Sequence, residues 1–158
     1  MSNDNTCFII ADASRARLFI VVPDDSPRRK LRLAERVSLV NQETKARGRS
    51  GTGQVKSERN TNRQAGPMHP IGAQRARHRL EHERRFGAEI VERAIDLTAR
   101  WDHGVMVLIA EPRLLGLMRE RLRRALRSEI KLEELAKDYS GLSTAELERV
   151  VVSQRLIQ

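Results

Sequence analysis

Aromatic residues and cysteine are scarce in this sequence. Its 158 residues include three Phe, one Trp, one Tyr and one Cys. A single cysteine excludes a disulfide scaffold, and we interpret Cys7 as a small buried apolar residue of a strand. A chain of this length forms one domain that buries roughly 70% of the surface its unfolded form exposes. We therefore expect a single domain over residues 1–158 with an apolar core.

Long apolar runs are also missing. The longest covers only residues 105–110, far short of the roughly 18 residues that a transmembrane helix needs. Residues 1–6 contain no basic residue ahead of their short apolar stretch, unlike a secretory signal. We expect a cytoplasmic protein without membrane insertion.

Basic residues, in contrast, are in excess. Lys and Arg number 30 against 21 Asp and Glu, for a formal net charge of +9. Residues 41–73 alone contain six basic and two acidic residues. A basic surface gains affinity for phosphate backbones by releasing their counterions. The composition therefore predicts a polyanionic partner, RNA or the ribosome.

The periodicity of apolar residues predicts a mixed α/β order. Three period-two strands with short connections form an antiparallel meander, and helices then alternate with strands. The strands are expected near 7–12, 15–22, 30–40, 104–110 and 130–135. Three helices are expected to begin near residue 74, at the Glu111-Pro112 pair, and at the capping box formed by Ser143 and Glu146. This order resembles a ribonuclease H-like fold with a partly antiparallel, partly parallel sheet.

Two finer expectations follow from the spacing. In the third strand, one parity collects four apolar residues, with Glu35 as a misfit. In the first helix, one stripe continues as far as Trp101. The strand residues are Leu31, Leu33, Val37 and Leu39, and the helix stripe is Ile90, Ala94, Leu97 and Trp101.

Residues 41–73 show no periodicity and no aromatic residue, and they contain five of the nine glycines. Such a composition buries too little apolar area to offset its ordering entropy. We predict a long mobile basic loop that contacts RNA phosphates, with a plain disordered insertion as the alternative. Its RNA-binding candidates are Lys45, Arg47, Arg49, Gly51, Gly53, Gln54, Lys56, Arg59 and Arg63.

A second basic patch lies on the predicted helix after Pro112. Arginines there share a face away from the leucine stripe, and a phosphate-binding role competes with that of plain solvated surface. The candidates are Arg123, Arg124 and Arg127.

Metal sites are weakly indicated. Asp12 and Glu111 each end a strand and would be neighbours if those strands pair, but two-metal nuclease chemistry needs further carboxylates. His78 and His82 match the pattern His-x-x-Glu-His, yet they lie among arginines and lack a third ligand. We expect no metal site and no cofactor.

Three segments resemble the bacterial host attachment protein family. They read IIADASRARLF at residues 9–19, VLIAEPRLLGLM at 107–118 and KDYSGLS at 137–143. The fold of that family is thought to be similar to the central domain of archaeo-eukaryotic peptide-chain release factors, which is itself ribonuclease H-like. In those factors, a Gly-Gly-Gln loop between the meander and a long basic helix enters the peptidyl-transferase centre.

This resemblance implies a role for Gln54 in particular. Residues 51–54 read Gly-Thr-Gly-Gln, so Gln54 would take the position of the glutamine that helps to orient the hydrolytic water. Thr52 departs from the first glycine of the motif and restricts the backbone where glycine is permissive. We therefore favour binding over catalysis.

The sequence leads to one principal hypothesis and leaves alternatives open. The principal hypothesis is an RNA- or ribosome-associated binding protein of the host attachment family. The enzymatic alternatives are peptidyl-tRNA hydrolysis through Gln54 and metal-dependent nuclease action through Asp12. The remaining alternative is a direct or indirect role in attachment to host cells without RNA binding. The oligomeric state is left open.

Overall fold

A computed structural model describes residues 5–23, 31–42 and 69–154. These residues form five strands and three helices. The strands are β1 (Thr6–Ala11), β2 (Arg15–Pro23), β3 (Leu31–Val40), β4 (Gly104–Ala110) and β5 (Ile130–Ala136). The helices are α1 (His69–Leu97), α2 (Pro112–Ala125) and α3 (Thr144–Ser153).

The five strands form one mixed sheet in the order β3-β2-β1-β4-β5. β1 pairs antiparallel with β2, and β2 pairs antiparallel with β3. β4 lies parallel to both β1 and β5. The predicted α/β class, the meander and the partly parallel sheet are confirmed.

The central strand β1 is buried throughout because both faces of the sheet are covered. Its alternate residues enter two separate apolar clusters. Cys7 and Ile9 join the cluster that includes residues of α1 and α2, whereas Phe8 and Ile10 join the cluster that includes residues of α3. Burial of Cys7, as predicted, raises the pKa of its thiol to about 12, so this thiol stays protonated near neutral pH.

The predicted shared face of β3 is wrong because the strand is bulged. Leu18 lies opposite Val37, whereas the next residue, Phe19, lies opposite Glu35. Arg36 is therefore an extra residue, and one extra residue reverses the side on which the following side chains lie. Leu33 accordingly packs in the cluster of Phe19, away from Val37 and Leu39.

The bounds of α1 also differ from those predicted. The helix begins at His69, so residues 69–73 belong to it and not to the expected loop, of which residues 43–68 lie outside the described residues. It ends at Leu97, because turn bonds from Ala99 N–H to Asp96 O and from Trp101 N–H to Thr98 O replace the helical pattern. Trp101 is half-buried against the first cluster from this turn, not from the helix.

Arg17 holds the segment before α3 onto the second face of the sheet. Its guanidinium donates to the carbonyl of Leu142 at 2.6 Å and to Thr144 Oγ1 at 3.2 Å. It also pairs with Glu35 at 2.9 Å and lies 4.9 Å from the ring centroid of Phe19. Only 17% of the side chain is exposed, so these bonds are partly shielded from water.

We expect Arg17→Met to lower the free energy of unfolding by about 2 kcal/mol. The substitution keeps a long apolar stem but removes hydrogen bonds from a charged donor, each of which has a net worth of about 1.5–3 kcal/mol when shielded from water. Urea unfolding of the full chain measures the change. Arg149→Met on α3 is the control, since Arg149 is exposed and makes no ion pair with a described residue. Equal midpoints for the two variants would contradict this role of Arg17.

Candidate nucleic-acid interface

Helix α1 consists of two halves with different packing. Its 29 residues span about 43 Å. In the carboxyl half, Phe86, Ile90 and Ala94 are buried in the first cluster. Between residues 74 and 85, no described side chain is buried. The amino half of the helix is therefore free to serve a purpose other than core packing.

Charge divides along α1 in the same way. Residues 74–85 contain five arginines and two glutamates, for a net charge of +3 with His neutral. Residues 86–97 contain one arginine and three acidic residues, for a net charge of −2. The positive end of the helix macrodipole also lies at the amino end. The half of α1 that places no described side chain in the core is thus the positive half. Its arginines are Arg75, Arg77, Arg79, Arg84 and Arg85.

Three arginines in this half keep their charge uncompensated. Arg77, Arg79 and Arg84 are exposed and make no ion pair with any described residue. Both glutamates of the half are engaged by other arginines, at 3.9 Å from Glu81 to Arg85 and at 3.1 Å from Glu83 to Arg113 of α2. We name Arg77, Arg79 and Arg84 the α1 basic group.

The α1 basic group was missed by sequence reasoning. The arginines around His78 and His82 entered that reasoning only as an obstacle to zinc binding. The burial pattern shows which part of the helix these arginines belong to. A single arginine looks the same in the sequence whether its part of the helix packs on the core or lies outside it. The charge reversal between residues 74–85 and 86–97 was the signal that could have found them.

The predicted second patch on α2 lies on the surface, with its charges engaged. Arg124 lies 3.7 Å from Glu120, and Arg123 lies 3.7 Å from Glu134, a carboxylate that also binds Arg119. Arg127 donates to the carbonyl oxygen of Trp101. All three candidates, Arg123, Arg124 and Arg127, are exposed. Exposed pairs of this kind are weak, so a phosphate could displace the acidic partners.

The candidates of the Gly-rich segment all lie outside the described residues. The chain nonetheless connects them to α1, since residue 68 precedes its first residue, His69. The basic segment is thus covalently joined to the amino end of α1, the end next to the α1 basic group. These candidates are Lys45, Arg47, Arg49, Gly51, Gly53, Gln54, Lys56, Arg59 and Arg63.

The two carboxylates considered as nuclease ligands both accept hydrogen bonds from nearby backbone N–H groups. β1 and β4 pair so that Ala11 lies beside Ala110, which makes Asp12 and Glu111 neighbours in register, as predicted. Asp12 Oδ1 accepts the backbone N–H groups of Ser14 at 2.7 Å and Arg15 at 2.8 Å. Glu111 Oε1 caps α2 by accepting the N–H of Leu114 at 3.1 Å.

Two histidines of the amino half of α1 lie near each other. His78 and His82 stack with their ring centroids 6.3 Å apart. Within residues 5–23, 31–42 and 69–154, no three His, Cys, Asp or Glu side chains are grouped as metal ligands. The described residues therefore provide no specific support for the nuclease or zinc interpretations.

A serine hydroxyl joins the ends of β1 and β5. Ser140 Oγ lies 2.6 Å from both Asp12 Oδ2 and Asp138 Oδ1. A hydroxyl has one hydrogen to donate, so the two carboxylates compete for it. The hydroxyl and the backbone N–H of Ser140, with the charge of Arg15 as a smaller cause, hold the pKa of Asp138 below its usual value.

We expect Ser140→Ala to raise the pKa of Asp138 toward its usual value, because the largest cause of the lowering is removed. Since the folded-state pKa is lowered, this interaction stabilises the protein above the unfolded-state pKa and is lost as pH falls through the folded value. Carboxyl carbon chemical shifts measured against pH report the change. An unchanged titration of Asp138 would show that the hydroxyl does not set its pKa.

The fold and the charged surface together define the general class of this protein. The chain is a small α/β protein with a five-stranded mixed sheet, three described helices and an uncompensated basic half-helix. No helix among the described residues is long and apolar enough to cross a bilayer.

The family "Protein required for attachment to host cells" matches residues 7–151, and the chain belongs to it. No curated protein matches the chain.

Proposed function

We propose that this protein binds RNA, either free or within the ribosome, through phosphate contacts made by the α1 basic group. The observation that carries the proposal is the coincidence of charge and packing in α1. The half that does no core packing has a net charge of +3, and the anchored half has −2. Solvated charge placed only for solubility has no reason to divide in this way.

The Gly-rich basic segment would extend this surface. It holds six basic residues between 43 and 68 and precedes the positive end of α1. Basic sequences of this composition can fold onto phosphates on contact. Arg123 and Arg124 on α2, and Arg127 just beyond its end, would contribute where phosphate replaces their intramolecular partners.

We also propose a ribonuclease H-like fold related to the central domain of release factors. Two observations support it: an antiparallel β1–β3 meander followed by parallel β4 and β5, and a basic Gly-rich segment directly before a long basic helix. On this proposal the protein acts in the cytoplasm near the translation machinery. Gln54, the last residue of the Gly-Thr-Gly-Gln sequence at 51–54, would then contact RNA.

Binding is favoured over catalysis by the state of the carboxylates. Asp12 and Glu111 serve as a turn acceptor and a helix cap, which leaves less freedom for metal-assisted cleavage. The family name describes a requirement for attachment and specifies no ligand. An RNA-binding protein would influence attachment indirectly, through the synthesis of other proteins.

We expect the double variant Arg77→Gln/Arg84→Gln to weaken RNA binding by roughly 10- to 100-fold at 0.1 M salt. Each phosphate contact adds about 0.9 to the slope of log Kd against log salt concentration. One contact therefore changes the affinity almost tenfold between 1 M and 0.1 M salt. The slope for the double variant should therefore be shallower by about 2. Fluorescence anisotropy of a labelled RNA at four salt concentrations measures both quantities.

The matched control is Arg93→Gln/Arg100→Gln. It removes the same charge from exposed positions in the anchored half of α1 and the turn that follows. Its affinity and slope should stay close to those of the wild type. If both double variants lose the same affinity, binding follows net charge alone and the assignment to the α1 basic group is wrong.

A further inference from the structure

The scarcity of aromatic residues bears on the kind of RNA that this surface can recognise. All five aromatic side chains lie among the described residues. Phe8, Phe19 and Phe86 are buried. Trp101 is half-buried against the first cluster, and Tyr139 against the second. The protein therefore exposes no phenylalanine, tyrosine or tryptophan as an open platform for a base.

Proteins that recognise single-stranded RNA usually expose aromatic side chains. The strand's unstacked bases stack on these side chains, each worth about 1–3 kcal/mol per base. Besides arginine guanidinium planes and the exposed imidazole of His78, the described part of the α1 surface has no group on which an unpaired base can stack, so unpaired bases add comparatively little to its affinity. Its affinity must come from phosphates, which both single strands and duplexes offer.

The geometry of α1 distinguishes between these two sources of phosphate. Arg77 and Arg84 are seven residues apart on the same side of the helix, about 10.5 Å along its axis. Their spacing is fixed, because the helix continues without interruption into the anchored stripe of Phe86 and Ile90. A rigid array loses least entropy on a partner whose phosphates are already fixed, whereas a flexible strand must first be ordered.

From these two observations we infer that the protein recognises double-helical RNA by its phosphate backbone, with little dependence on base sequence. The inference rests on the proposed function and narrows its ligand class. The major groove of an RNA duplex is too deep and narrow for side-chain readout, so recognition relies on shape and on contacts to phosphates and 2′-hydroxyls across the shallow minor groove. Arg77 and Arg84 would bind phosphates there, whereas Arg79 lies on nearly the opposite side of the helix, about 160° around the axis from Arg77.

The test compares four labelled probes with the full chain at one salt concentration. They are a 24-base-pair RNA duplex, a second RNA duplex of unrelated sequence, one strand of the first duplex chosen to be unstructured, and a DNA duplex of the same sequence. We expect both RNA duplexes to bind within about threefold of each other and at least about tenfold more tightly than the single strand. The DNA duplex should bind more weakly than either RNA duplex, because its groove shape differs and it lacks 2′-hydroxyls.

The variants separate failure of this inference from failure of the proposed function. Arg77→Gln/Arg84→Gln should weaken duplex binding by at least about tenfold, and Arg93→Gln/Arg100→Gln should leave it unchanged. A single strand that binds as tightly as the duplex, and is still weakened by the first variant, overturns duplex recognition but leaves RNA binding through α1 intact. Equal binding of DNA and RNA duplexes overturns the RNA-specific part of the inference. No binding of any probe overturns both proposals.

Discussion

The packing of the carboxyl half of α1 against the sheet is the constraint on which the proposed surface depends. Phe86, Ile90 and Ala94 enter the first cluster, and full burial of each larger side chain is worth about 1.5–3 kcal/mol. Gly87 faces α2, where a Cβ would lie at van der Waals distance, 3.4 Å from Met118 Cγ. These contacts fix the direction of the helix and leave its amino half for other contacts.

The second face of the sheet is secured by polar contacts as well as apolar ones. Leu147 and Val151 of α3 supply the buried residues. Glu148 accepts the backbone N–H of Leu33 at 2.8 Å, which satisfies a donor on the edge strand β3. Arg17 and the Ser140 hydroxyl then hold the segment between β5 and α3. The scaffold is thus closed on both faces, and the α1 basic group lies outside both apolar clusters.

The sequence predicted the elements well because their apolar periods are strong. The strand containing the apolar run of residues 105–110 and the helix that begins at the capping box of Ser143 needed no tertiary information. The bulge at Arg36 escaped prediction, because a single extra residue leaves no mark on composition. The end of α1 at Leu97 escaped it for a related reason, since Trp101 fits the helical period but packs from a turn. In the sequence, the α1 basic group was marked only by the charge reversal between residues 74–85 and 86–97, and the burial pattern then showed that its half of the helix lies outside the core.

The most direct test of the central claim is to follow the arginine side-chain Nε–Hε signals of the full chain by NMR during titration with a 24-base-pair RNA duplex. The account predicts that the signals of Arg77 and Arg84 shift first and most, while those of Arg93 and Arg100 stay in place. Shifts confined to Arg123, Arg124 and Arg127, or spread evenly over both halves of α1, would contradict it.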